Sequence, residues 1–145
     1  MKTAVLDSQP PKTYLLVFDP DEEVMAGLFA FIKEKAITAG HFTAIGAVSG
    51  AMLGFFDRKT KDYKKIPQDG QAEVLSLIGD VALKEDGSPG VHAHAVLGLS
   101  DGSARGGHLI EARVWPTLEV VLSESPKHLR RTFRPEFGLA LIDPT

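Results

Sequence analysis

The stretch DPDEEVMAGLFAFIKEKAITAG, Asp19 to Gly40, decides how the rest of the chain is read. It follows a short apolar run, Tyr14 to Phe18, with the composition of a strand. Asp19 is a good helix cap, Pro20 fits a first helical turn that does not need its missing N–H, and Asp21, Glu22 and Glu23 suit the positive end of a helix dipole. Val24, Leu28, Phe31 and Ile32 then recur at helical spacing, with Lys33, Glu34 and Lys35 on the other side, until Gly40 ends the segment. The expectation is one long amphipathic helix lying on a sheet.

Nearly everything after Gly40 reads as strand. Phe42 to Val48 and Ala51 to Asp57 flank Ser49-Gly50, which suits a tight turn, and Tyr63 to Ile66 answers across the charged loop Arg58 to Asp62. Glu73 to Leu83 is a further apolar strand. Two more precede Trp115-Pro116, where a proline is poorly placed in a central strand, and Thr117 to Leu122 resumes the pattern. The end of the chain has room for one short helix over Lys127 to Thr132. One helix against many consecutive strands predicts an α+β fold, a mainly antiparallel central sheet with one long N-terminal helix packed on it. The expected organisation is an N-terminal tail over 1–13, a single domain over 14–142 and a C-terminal tail over 143–145.

Composition narrows the function. The chain has 145 residues, 43% hydrophobic and 24% charged, enough for one domain with a real core and close to the soluble globular average. With a formal net charge of −3 it has no overall attraction for a polyanion, so a nucleic-acid contact needs a local patch. It has no cysteine, which removes disulfides and thiolate ligands together. Metal binding would then fall to histidine and carboxylate. The opening MKTAVLDSQPPKTY lacks the apolar core of a signal peptide and no apolar run approaches membrane-spanning length, so a cytoplasmic protein without membrane contact is expected.

Three of the five histidines fall in GVHAHAVLGLSDGSARGGHL, Gly90 to Leu109. His92 and His94 are two apart in a strand-like run, so both leave one face, while Val91, Ala93, Ala95, Leu97 and Leu99 form the other. Ser100-Asp101-Gly102 suits a three-residue hairpin loop, which would pair Leu99 with Ser103 and, counting back, His94 with His108. The three imidazoles would converge. Three neutral imidazoles with an open fourth position are what a catalytic rather than a closed structural zinc site presents. Along the same face the count gives Val96, Gly98, Ile110 and Ala112, with Glu111 and Arg113 pointing away, so an acid/base partner would have to come from Glu73, Glu119 or a neighbouring subunit. Arg105, at the mouth of the turn, could hold an anion. His41 and His128 read as ordinary exposed or capping residues.

The segments GHFTAIGAVSGAMLGFFD, EVLSLIGDVAL, VHAHAVLGLSDG, GGHLIEARV and TLEVVL, in this order, resemble the plant-and-prokaryote-conserved (PPC) domain, over about Tyr14 to Leu141. The resemblance implies a domain assembled as a homotrimer, with zinc on the histidines here numbered His92, His94 and His108. It also implies a regulatory or DNA-associated role, since plant members join the domain to AT-hooks and prokaryotic members are commonly described as DNA-binding. This chain has no Arg-Gly-Arg-Pro core, and the plant contact hexapeptide reads GHFTAI here. Direct nucleic-acid contact would fall to Lys127, Arg130, Arg131 and Arg134, or to the lysine-rich hairpin around Arg58 to Lys65. A similar His-x-His with a third histidine occurs in acetolactate decarboxylase, which implies an alternative: a zinc-dependent, lyase-like enzyme binding a small carbonyl or carboxylate at the metal. A trimeric protein-interaction adaptor is the third alternative.

Overall fold

The computed structural model describes residues 1–7 and 11–143. The chain runs β1 (Lys2–Asp7), β2 (Thr13–Phe18), α1 (Val24–Glu34), β3 (Ala39–Asp57), β4 (Asp62–Leu83), β5 (Pro89–Gly98), β6 (Ala104–Glu124), β7 (Arg130–Arg134) and β8 (Leu139–Asp143). Strands make up 67% of it and the helix has 11 residues, so the α+β expectation with a long N-terminal helix is overturned in favour of a mostly β fold. The expected N-terminal tail contains β1, paired antiparallel with β2. Residues 8–10 of that tail and 144–145 of the expected C-terminal tail lie outside the described residues.

The helix is short because its flanks are spent on other bonds. Asp21 takes φ 66°, outside the helical region, and its N–H donates to Val114 O while Val114 N–H donates to Glu22 O. Glu23, not Asp19, is the cap: its carboxylate accepts from Met25 N at 3.1 Å and Ala26 N at 2.6 Å. At the other end Ala36 takes φ 53° and Ile37 N–H closes back on Ile32 O, which stops the helix before Gly40. The apolar stripe still falls where its spacing predicts, with Val24, Leu28, Phe31 and Ile32 buried.

Three long strands replace the shorter ones expected. β3 passes through Ser49-Gly50 without turning, because the ladder slips between Val48 and Gly50 and continues. β4 joins the two expected segments into one strand of 22 residues. β6 runs through Pro116, since its pairing with β3 skips from Val114 to Leu118 and leaves the proline no ladder bond to donate. The short helix expected over Lys127 to Thr132 is instead a connection and strand β7, whose backbone is paired along β8.

β3 pairs β4, β4 pairs β5, β5 pairs β6 and β6 pairs β3, all antiparallel, so these four strands close a circuit. β1 and β2 extend it beyond β6, and β7 and β8 beyond β4. The buried face carries Val48, Leu53, Val74, Leu77, Leu97, Leu109, Val114 and Leu118, packed against α1. Among the described residues no helix is long and apolar enough to cross a membrane.

Candidate metal centre

The site begins in the alternation of β5. Ala93, Ala95 and Leu97 are buried, which turns His92, His94 and Val96 outward. The loop Ser100-Asp101-Gly102 then reverses the chain. Leu99 N–H donates to Ser103 O at 2.8 Å, and the Asp101 carboxylate accepts from the Ser103 N–H and hydroxyl at 2.9 and 2.6 Å. Gly102, at φ 81°, occupies a region that side chains avoid. The register set by this loop pairs Gly98 with Ala104 and His94 with His108. His108 therefore shares the outward face with His94 and, one step along, with His92. Ring centroids lie 4.9 Å (His92–His94), 5.2 Å (His92–His108) and 5.6 Å (His94–His108) apart. One nitrogen from each ring lies within 4.8 Å of the others.

The donor set fits a metal ion. Burial, and then the neighbouring His92, pushes the His94 imidazole below its ordinary pKa. Burial, followed by His92 and His94, pushes His108 down to about 4. A neutral imidazole is the form able to ligate a metal, and burial favours that form at His94 and His108. His108 Nδ1 is buried with no hydrogen-bond partner. Such an orphan costs roughly 1–3 kcal/mol, and ligation would remove that cost if Nδ1 is the binding nitrogen.

Two neighbours of the trio carried no assignment in the sequence. Asp80 stands opposite His92 in the β4–β5 register. Its Oδ2 lies 3.6 Å from His92 Nδ1, and its Oδ1 accepts from Arg131 Nη2 at 2.6 Å. Burial works against the charged carboxylate, but His92 and Arg131 together outweigh it and hold the Asp80 pKa below its ordinary value. A signal was present: Asp80 is the one charged residue between Glu73 and Lys84. Tyr63 stacks on His108 with ring centroids 4.6 Å apart. Its ring fits because β3 offers Gly54 there, where a Cβ would come within 2.8 Å of Tyr63 Cδ1. Burial raises the Tyr63 phenol pKa, and the Arg131 charge opposes part of that rise. Only the pairing of β3 with both β4 and β6 brings this tyrosine to His108.

The remaining predicted residues do not gather at the site. Arg105 stands opposite the buried Leu97, so it leaves the face away from the histidines and reaches toward Pro67 O at 3.5 Å. Lys127 and Arg130 are exposed, whereas Arg131 is tied to Asp80 and Arg134 is paired with Asp143 at 2.7 Å. On β6 the expected alternation fails at Ile110, where the register with β3 slips between Met52 and Leu53. Ala112 turns into the core, and Glu111 and Arg113 take the exposed side of the strand, the reverse of the simple count. Glu73 and Glu119 line a depression with Ile45 and Leu75, not the one at the histidines.

A depression of about 310 Å³ opens beside the trio, lined by Ile78, Gly79, Asp80, His92 and His94. Another, of about 380 Å³ and lined in part by Glu23, Gln68, Glu111 and Arg113, shares no residue with it. There Glu23 is already committed to the helix cap and to Ala112 N–H.

Fold and site together define a mostly β protein with an outward-facing group of three histidines that can hold a metal ion. The chain belongs to the Plants and Prokaryotes Conserved (PCC) domain family, whose model matches residues 6–126. Among solved structures it is similar to a PPC protein from Pyrococcus horikoshii, with 34% identity, 99% of this chain and 96% of that chain covered, and a TM-score of 0.85. A metal-containing protein from Archaeoglobus fulgidus is 37% identical, with 90% and 92% covered and a TM-score of 0.83. A candidate DNA-binding protein from Bacteroides thetaiotaomicron is 30% identical, with 97% and 96% covered and a TM-score of 0.89. Acetolactate decarboxylase from Bacillus subtilis shares the fold alone, at 12% identity and a TM-score of 0.59, covering 88% of this chain and 58% of that one. No curated protein matches the chain.

Proposed function

We propose that this chain is a zinc-binding PPC-domain protein that assembles as a homotrimer in the cytoplasm and serves as a regulatory, DNA-associated binding protein. The observation that carries the metal reading is the convergence of His92, His94 and His108 on one outward face. A donor set of nitrogens alone, without thiolate, suits zinc, and the description of the Archaeoglobus relative as metal-containing supports it. When bound, zinc supplies Lewis acidity toward a small oxygen ligand.

Self-association is supported by an apolar outer face. Ile45, Leu75 and Ile78 are 62%, 56% and 55% exposed. They are large apolar side chains on the side of the sheet away from the helix, and Ile78 also borders the histidine depression. Patches of this kind mark association surfaces. The threefold order rests on the family resemblance. DNA association is supported by relatives described as candidate DNA-binding proteins and by the free positive charge of Lys127 and Arg130.

A specific observation favours a second reading, a zinc-dependent lyase-like enzyme acting on a small carbonyl or carboxylate. Tyr63 and Asp80 place a phenol and a carboxylate beside the trio, groups able to hold or move a proton. The first test is metal content by elemental mass spectrometry of tag-free protein, wild type beside His94→Ala. Near-stoichiometric zinc, lost in a variant that keeps its circular dichroism, is the expected result. Full occupancy in the variant would show the ligands to be wrong. A wild-type site that cannot be filled would end the metal reading.

A further inference from the structure

We infer that Asp80 and Arg131 form an outer shell around the histidine trio, and that through them the β7–β8 hairpin becomes part of the metal site. The inference rests on the metal-binding reading above. Asp80 and Arg131 are 51 residues apart in sequence, and the sheet brings them together at its edge. Their side chains are 28% and 14% exposed, so the ion pair is substantially shielded from water. The guanidinium is held at both ends, Nη2 donating to Asp80 Oδ1 at 2.6 Å and Nη1 to Ala140 O of β8 at 3.3 Å. A planar donor fixed in this way orients the carboxylate it binds. The other oxygen, Oδ2, is left facing His92 Nδ1.

That separation, 3.6 Å, is longer than a hydrogen bond, and a shift of about 0.5 Å would close it. A carboxylate in this place selects the tautomer with the proton on Nδ1 and leaves the Nε2 lone pair for a metal ion. Asp80 thus acts as a positioning residue for His92, and Arg131 acts through Asp80. The competing explanation is that the pair only fastens the hairpin. The hairpin has other ties: Leu83 paired with Arg130, Leu83 N–H donating to Leu129 O, and Phe133 N–H donating to the Glu85 carboxylate. Loss of Arg131 alone therefore need not release it. If hairpin docking favours metal binding, metal binding must favour docking by the same factor.

The experiment measures zinc affinity by competition with a chromophoric chelator, for wild type, Asp80→Asn, Arg131→Gln and Arg131→Lys. Amide hydrogen exchange over residues 130–143 is followed with and without zinc. Asp80→Asn is expected to weaken zinc binding by roughly 10- to 100-fold. Arg131→Gln should weaken it in the same direction, with partial recovery in Arg131→Lys, and zinc should slow exchange over 130–143 in wild type but not in Asp80→Asn. Wild-type affinity in all variants, with faster exchange in the hairpin, would overturn the inference while leaving the metal site standing. A wild type that binds no zinc would overturn both. Should Asp80→Asn fail to fold, the two Arg131 variants decide the question alone.

Discussion

Two of the hairpins have opposite characters. β5 and β6 form one inside the closed circuit of strands, with Ala93, Ala95, Leu97 and Leu109 buried beneath it. β7 and β8 form the other at the sheet edge, where Phe133, Leu141 and Ile142 remain 49%, 37% and 39% exposed. A slip of one residue in the first would expose its core face, so register is strongly specified and the outward side chains have fixed neighbours. The second has no comparable buried face, and its basic side chains take their roles from whatever lies across the sheet edge. A site can be read from a hairpin whose reverse side is core; a charge cluster on an edge hairpin cannot be read in the same way.

The sharpest test of this contrast is stability. Leu97→Ala removes a fully buried side chain on the core face of the β5–β6 hairpin and should cost about 2–5 kcal/mol. Phe133→Ala, on the edge hairpin, should stay within about 0.5 kcal/mol. Urea unfolding midpoints compare the two directly. Equal losses would mean that the edge hairpin is as much a part of the cooperative core as β5 is.

The same contrast explains what the sequence reveals. In β5 and the loop after it the signals are local, namely alternation, an aspartate and a glycine at the left-handed position, and they suffice to bring His92, His94 and His108 together. The buried stripe of α1 is equally legible, but its length is not, because Asp21 bonding to Val114 and Glu23 capping the helix depend on where β6 lies. In β3 and β6, Ser49-Gly50 and Pro116 look like breaks because a bulge and a turn use similar residues, and only the partner strands decide between them. Asp80 and Tyr63 escape assignment for the same reason: each meets its histidine across a strand pairing that no local spacing records.

A smaller effect would sharpen the comparison within the basic cluster itself. If the C-terminal charges touch duplex DNA, Lys127→Ser and Arg130→Ser should each weaken binding nearly uniformly across sequences and reduce the salt slope by about 1. Arg131→Gln should leave that slope unchanged, because its guanidinium is already spent on Asp80 and Ala140. Fluorescence anisotropy over a salt series reads all three. An Arg131→Gln slope lowered as much as the others would show that this arginine faces the nucleic acid after all.

The smallest expected effect concerns the metal-free chain, and its sign follows from burial. The folded state holds His108 at about 4 against an ordinary value of 6.5, and pushes His94 in the same direction. As pH falls from above 6.5 toward 4, the unfolded chain takes up protons that the folded chain refuses, so stability falls across that window and this contribution levels off below it. Asp80, held below its ordinary value, adds a loss of the same sign at still lower pH. Because His108 keeps contact with solvent, the slope is shallow compared with the Leu97→Ala loss. Urea midpoints of chelator-treated protein between pH 7 and 4.5 should therefore decline gently, and the decline should be flatter in His108→Gln. An identical slope in that variant would place the acid sensitivity elsewhere and show that burial in this hairpin does not hold His108 neutral.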